Sequence, residues 1–496
     1  MNPAPARTRM RICLLTAGGY PYRRDALGGW CRTLVDGLRH VTFDLLTIVD
    51  RKPSAGPAYP LPMHVASARA VLVGPAPATK QRGRPDPDAG AAAELLCRGL
   101  ITGPDRAVAE GLRRLVLLPD APLSRVPLAD LLLEAGRAGG HSPVPRLGAR
   151  EARSAAALLR HATRVLSVPV PAVDIVHCVG GTTPLLAALA GRWRTGGRLL
   201  LTEARAAVHR PGADEERLSP AVRTVLHRFR QSVLRAGYAE ADLIAPVSGY
   251  HHGWALRHGA PPSRLVPVPP GVPPVEHPTV PENAAPALVW AGSGGPDSGL
   301  ELLLAAFRAV VSAVPGAVLH LVGVLPPYQD SCAELVDRTG LGRAVRLHPL
   351  PADPDERYAA GPVVVHLPGP ADPPYRLVEA MMSGRAVIAA DIGPAAETLG
   401  EAGVLVPADD PGALSTACVG LLRSPSRCRA LGDAGRRRAL LYFTSDRVVR
   451  EYGALYTDLA GPPPDPHYEL ALSVPAPRTA LPTTMRWLTT DHRSSS

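Results

Sequence analysis

Lysine is nearly missing from this sequence. Lys52 and Lys80 are the only two among 496 residues, so almost all of the 54 basic side chains are arginine. With 56 Pro, 47 Gly and abundant Ala, that bias reads as the imprint of a GC-rich coding sequence. Aromatic residues are scarce as well, at 4 %. A nucleic-acid groove combines a dense basic block with interleaved aromatics, and the chain has none, so the net charge of +10 is assigned to composition and no nucleic-acid partner is expected. The charge remains compatible with a pocket for a negatively charged substrate. Few aromatics also mean that the cores rest on Ala, Val and Leu.

Other absences narrow the class further. The seven cysteines are odd in number and form no C-x-x-C pair, which argues against a disulfide framework or a zinc site. His251 and His252 are adjacent, so their side chains diverge and make a poor metal site. No P-loop or nucleophilic triad is present, and no metal or resident cofactor is expected. The apolar run Ile12 to Leu15 is too short for a signal-peptide core, and no run reaches membrane-spanning length. A cytoplasmic protein is the expectation.

What is present alternates between strand and helix. Met10 to Thr16 reads as a buried parallel strand, followed by a glycine-bearing loop, a helix over Trp30 to Leu38 and a strand over Thr42 to Val49. That order opens a doubly wound sheet. Residues 53 to 150 mix Pro-rich patches with helical segments, Ala91 to Leu100 and Leu128 to Ala138, and read as an insertion of helices and mobile loops. Glu151 to Leu166 and Arg217 to Ala241 read as helices, and Asp174 to Val179, Arg198 to Glu203 and Leu243 to Val247 as strands. The Pro-rich stretch 266 to 286 lacks periodicity and predicts a linker. Beyond it the strands are Ala287 to Ala291, Val318 to Val322, Val345 to Leu347, Val363 to Leu367 and Ala386 to Ala389. Helices are expected over Gly299 to Ala313, Asp330 to Arg338, Tyr375 to Met382, Pro411 to Leu422 and, with Ser424 as N-cap, from Pro425 to Leu459. The fold class is therefore α/β, with two doubly wound Rossmann-like domains facing a central cleft. The expected divisions are 1–272, 273–286 as linker, 287–460, and a disordered tail over 461–496.

Residues 378 to 393, VEAMMSGRAVIAADIG, are followed by Glu397 and by GVLVPADDPGAL at 403 to 414; upstream stand LVWAGSGGPDSGLELLLAAF at 288 to 307 and LHLVGV at 319 to 324. In order and spacing this resembles the donor-binding half of family 4 glycosyltransferases of GT-B fold. The opening segment CLLTAGGYPYRRDALGGW, residues 13 to 30, resembles the PelF-like group, through Tyr20, Pro21, Tyr22, Gly28, Gly29 and Trp30. The resemblance implies a retaining transfer of a hexose from a nucleotide sugar, UDP-linked, to a polysaccharide or small acceptor. It also implies peripheral association with a membrane polysaccharide-export complex.

Roles follow from the resemblance residue by residue. Glu379, the second Glu of the E-x7-E motif, would hold the ribose hydroxyls. Gly28 and Gly29 would let the backbone approach a phosphate, or equally form a simple turn. Tyr22, Trp30, His177 and Glu203 are candidates for the acceptor side of the cleft, His177 serving equally to cap its strand. Several aligned positions depart from the family. The first Glu falls on Ala371, beside Asp372. The diphosphate-clamping Arg and Lys fall on Ser293 and Ser298, the His of the first half on Ala204, and the linker Asn on Pro270. Asp372 and Arg376 are the residues left to supply the lost charge and catalysis. These losses define the alternative: a catalytically silent relative that binds a nucleotide sugar or a partner enzyme.

Overall fold

The apolar runs fold into parallel strands joined by helices, as their patterning predicts. A computed structural model describes residues 9–53, 56–73, 86–118, 123, 125–138, 143–204, 217–274, 285–295, 298–351, 354–369 and 372–461. The first sheet holds β1 (Arg11–Ala17), β2 (Thr42–Val49), β3 (Val65–Leu72), β4 (Ile175–Val179), β5 (Arg198–Glu203) and β6 (Leu243–Pro246). The second holds β7 (Ala287–Ala291), β8 (Val318–Val322), β9 (Val345–His348), β10 (Val363–His366), β11 (Ala386–Ala390) and β12 (Val404–Val406). Their orders are β3-β2-β1-β4-β5-β6 and β12-β11-β10-β7-β8-β9, with every neighbouring pair parallel. Read from either end, the two orders are the same doubly wound pattern. Each sheet reverses direction once, between β1 and β4 and between β7 and β10. Chains leaving those neighbouring strands diverge, and the crevice between them is where such sheets bind ligands.

In its described residues, the stretch 53–150 holds more regular structure than its composition predicts. It supplies β3, whose half-exposed pattern suits an edge strand and hides the strand signal. Its helices Pro87–Ile101, Asp105–Val116 and Leu128–Ala138 share one apolar core with Ala149–Thr163 and Pro220–Glu240. Arg228 ties this layer together. Its guanidinium donates to the carbonyls of Leu100 (2.6 Å), Gly103 (2.9 Å) and Gly99 (3.1 Å), meeting the negative end of the Pro87–Ile101 helix.

Two other expectations are revised. The stretch read as a linker is pinned at its start: Val266 and Val268 donate to Ile244 and Pro246, and Val272 exchanges backbone hydrogen bonds with Phe443 and Ser445. Residues 275–284 of it, and the tail from 462, lie outside the described residues. The helix expected from Pro425 to Leu459 is two, Pro425–Tyr442 and Ser445–Ala460, broken where Thr444 bridges Val272. Ser424 sits at the N-cap position, but its side chain makes no capping bond.

That break sends the last helix back across the first sheet. Val449 packs on Gly37, where a Cβ would stand 2.4 Å from Val449 Cγ2, so the contact requires glycine. Tyr452 and Tyr456 then meet His177, which is fully buried. His177 Nδ1 shares a hydrogen bond with Tyr456 Oη (2.6 Å) and Nε2 with Thr202 Oγ1 (2.7 Å), and Thr202 in turn pairs with Tyr452 Oη (2.7 Å). Trp30 closes the group, its ring 5.3 Å from Tyr452 and 6.1 Å from Tyr375 of the second half.

Because burial pushes His177 down to about 3, the imidazole is neutral in the fold. Its contribution to stability is complete above its ordinary value of 6.5 and is lost as pH falls toward the depressed one, since the unfolded chain then binds the extra proton. The melting temperature is therefore expected to fall between about pH 7 and about pH 5, and His177→Gln to flatten that slope. Tyr456→Phe leaves a ring nitrogen without its partner and is expected to cost about 1–3 kcal/mol, read by denaturant melts.

Candidate functional site

A cavity of about 580 Å³ lies between the two halves. From the first half its wall takes Arg24, Asp25, Gly29, Trp30, Arg32, Thr33 and Tyr59. From the second it takes Leu350, Pro351, Arg357, Tyr358, Tyr375, Glu379 and Met382, while Val272, Ser445, Asp446 and Val449 form the crossover side. Tyr375, Glu379 and Met382 recur at helical spacing, which is why one face of Tyr375–Met382 looks into the space.

The expected donor residue Glu379 is therefore on the cavity wall. Its Oε2 accepts from Arg357 Nη1, and the two side chains are 21 % and 13 % exposed. Arg357 comes from the short 3-10 turn Pro354–Tyr358, a position the sequence patterning did not single out. Burial alone would lower its guanidinium, but the Glu379 carboxylate outweighs that and holds it above its ordinary value.

Arg376 points elsewhere. Its Nη1 donates to the carbonyl of Ala291, the last residue of β7, at 2.9 Å. The guanidinium thus lies at the strand ends where the second sheet reverses. Burial, with the nearby Arg376 charge, pushes His366 at the end of β10 down to about 3. The helices that follow these two strands, Leu300–Ala313 and Tyr375–Met382, have Gly299 and Pro374 at their N-cap positions and carry no side-chain cap. Helix amides without side-chain caps and an arginine at one strand-end crevice are groups of the kind that can hold an anion. Ser293 and Ser298 belong to the loop after β7. Ser293 accepts from Leu325 N (2.9 Å) and Ser298 N donates to Gly295 (3.0 Å), both through the backbone. Asp372 is exposed and caps its own turn, Oδ2 accepting from Gly369 N at 2.9 Å. Ala371 lies outside the described residues.

In the first half the structure redraws several expectations. Asp25 caps the helix Ala26–Gly37: its Oδ1 accepts from Gly28 N (2.7 Å) and its carbonyl from Gly29 N (2.9 Å), so neither amide is free for a phosphate. Gly28 is required by its neighbours, a Cβ there falling 2.9 Å from Arg23 O and 3.3 Å from Tyr59 Oη. Gly29 faces the cavity, with nothing within 4 Å of its Cβ position. Trp30 lines the cavity but is almost wholly buried among the aromatic rings of the crossover. His177 belongs to the core, both ring nitrogens engaged, and cannot meet an acceptor. Glu203 is likewise buried, accepting from Tyr238 Oη at 2.6 Å. Tyr22 is half-buried, does not line the cavity, and donates its N–H to Gly19 O at 2.9 Å.

Similarity to known proteins agrees with this architecture. Residues 285–424 match the family described as Glycosyl transferases group 1, residues 109–276 match Glycosyltransferase Family 4, and residues 10–103 match a domain of unknown function, DUF3492. No curated protein matches the chain. Among solved structures, sucrose-phosphate synthase from Thermosynechococcus elongatus aligns at TM-score 0.57 and 20 % identity, over 91 % of this chain and 99 % of that one. HepE from Anabaena, solved with UDP, aligns at 0.55 and 15 %, over 90 % and 100 %. WaaG, a glycosyltransferase involved in lipopolysaccharide biosynthesis, aligns at 0.53 and 13 %, over 90 % and 99 %. The chain thus carries group 1 and family 4 glycosyltransferase domains in the GT-B fold.

The two glycines separate packing from cleft. Gly28→Ala is expected to lower the melting temperature, because carbonyl and carboxylate oxygens already crowd its Cβ. Gly29→Ala is expected to leave stability unchanged or raised by up to about 1 kcal/mol, as alanine favours helix, while placing a methyl group on the cavity wall.

Proposed function

We propose that the chain is a retaining glycosyltransferase that takes a hexose from a UDP-sugar. One observation carries the reading: Glu379 faces the inter-lobe cavity while Arg376, on the same helix, stands at the strand-end crevice beside two uncapped helix N-termini. A carboxylate suits a sugar diol, which donates two hydrogen bonds. An arginine with helix amides suits a diphosphate. The cavity itself has mixed charge, with Arg24, Arg32 and Arg357 against Asp25, Asp36, Glu379 and Asp446, and favours the neutral nucleoside. The diphosphate then lies toward Arg376.

In this scheme, breaking the bond from the anomeric carbon to the diphosphate builds negative charge on the leaving oxygen. Arg376 and the amides of Tyr375–Met382 and Leu300–Ala313 stabilise that charge without reorganising. Asp372, exposed just before the same helix, is the carboxylate this scheme assigns to the transferred sugar, which requires it to leave its bond to Gly369 N. The acceptor is a carbohydrate, and Trp30, Arg24 and Gly29 form the wall opposite the nucleoside. HepE, which binds UDP and UDP-glucose, supports the choice of donor. Peripheral attachment to a membrane polysaccharide-export assembly, as in the PelF-like group, belongs to the same proposal.

A second reading, a silent nucleotide-sugar-binding subunit, is favoured by the neutral Ser293 and Ser298 at positions where the family carries clamping cations. Calorimetry with UDP, UDP-glucose and UDP-N-acetylglucosamine, followed by UDP release over a broad acceptor panel, separates the two. Binding with release is the expected result, and binding without release selects the silent form. Failure to bind any of these at about millimolar concentration rejects both. Arg376→Gln is expected to weaken UDP about tenfold to a hundredfold, through loss of charge-assisted hydrogen bonds.

A further inference from the structure

Arg357 has no role in the scheme so far, yet three features single it out. Its guanidinium is buried on the cavity wall and paired with Glu379. Its Nε is buried without a hydrogen-bond partner among the described residues. The turn that carries it is fixed to the Glu379 helix, where Tyr358 Oη donates to Arg376 O at 3.2 Å, and to the segment after that helix, where Arg385 Nε donates to Tyr358 O at 3.2 Å.

Stability does not account for such an arrangement. Desolvating an ion pair consumes most of its Coulomb energy, and apolar residues of similar volume usually serve a fold as well. A buried N–H left unpaired is a further cost, rare enough to need a reason. Fixing the Glu379 carboxylate at the cavity wall is a reason to carry both costs. With Oε2 held by Arg357, Glu379 also keeps a single orientation, and Oε1 is left to accept from a ligand.

We propose that Arg357 is a positioning residue for nucleoside recognition, which holds Glu379 in the orientation that meets the ribose hydroxyls of the bound uridine nucleotide. This rests on the nucleotide-sugar reading above and adds the residue that enforces ribose recognition.

The test compares UDP with 2′-deoxyuridine diphosphate by calorimetry on the full chain. The wild-type protein is expected to prefer UDP by at least about tenfold, the worth of one good hydrogen bond to a charged group. Arg357→Met is expected to weaken UDP and bring the ratio of the two affinities close to one. Arg357→Lys keeps the charge but not the fork, and is expected to give an intermediate ratio. Thermal melts establish that each variant is folded, and if the methionine variant is not, the lysine variant carries the comparison. Wild-type preference for UDP that survives unchanged in every folded variant overturns the role of Arg357 and leaves the nucleotide-sugar reading standing. Equal wild-type affinity for the two nucleotides overturns the ribose grip itself. No binding of UDP at all overturns both this inference and the function proposed above.

Discussion

The fold hangs on a buried hydrogen-bonded knot that fastens the last helix to the first sheet. His177, Thr202, Tyr452 and Tyr456, all buried, satisfy one another, and Trp30 packs over them. A buried polar group left unpaired is costly, so each member of the knot constrains the position of the others. Two halves with independent sheets need such a constraint, because their orientation follows from no strand pairing. Helix Ser445–Ala460 supplies it, having left the second half at Phe443 and Thr444 and settled on Gly37. Ser445, Asp446 and Val449 on the same helix are also cavity wall, so the element that joins the halves shapes the site between them.

The placement of arginine is the second theme. A chain almost without lysine meets every need for a cation with a guanidinium, and the fork geometry lets one side chain serve several carbonyls. Arg228 closes a helix end in this way, Arg376 reaches the end of β7, and Arg438 donates to the carbonyls of Glu397 and Thr398. The resemblance puts the family's clamping cations at Ser293 and Ser298, both neutral here. The charge at the crevice comes instead from the helix that also bears Glu379. Under the function proposed above, that arrangement keeps a cation beside the strand ends and would couple the diphosphate to the ribose through one short helix.

The strands of both sheets were mostly legible, because a buried parallel strand leaves a continuous apolar run bounded by glycine. Two escaped. β3 is an edge strand with a mixed pattern, and β12 has three residues, too few for any period to register. Among the site residues, Glu379 was legible because the segment VEAMMSGRAVIAADIG fixes its place on a helix after a strand. Its partner Arg357 was not, since a single arginine in a Pro- and Asp-rich turn looks like solvated surface. For His177 the sequence left a cleft contact and a strand-end hydrogen bond equally open, and the returning helix decides for hydrogen bonds by covering the ring.

Local chemistry, written in the order of residues, determined the alternation of strand and helix, the doubly wound class and the segment that bears Glu379. Those features depend on contacts between near neighbours, and hydrophobic period and glycine placement encode them directly. Tertiary structure alone decided that Tyr452 and Tyr456 would cover His177, that Asp25 would occupy the amides of Gly28 and Gly29, and that Arg357 would meet Glu379. The first of these joins residues 279 positions apart and the last 22. Even Asp25, three positions from Gly28, takes that role only once the chain turns to begin its helix. Hydrogen bonds and ion pairs form between whatever groups packing brings within reach, and no periodicity along the chain records which groups those are.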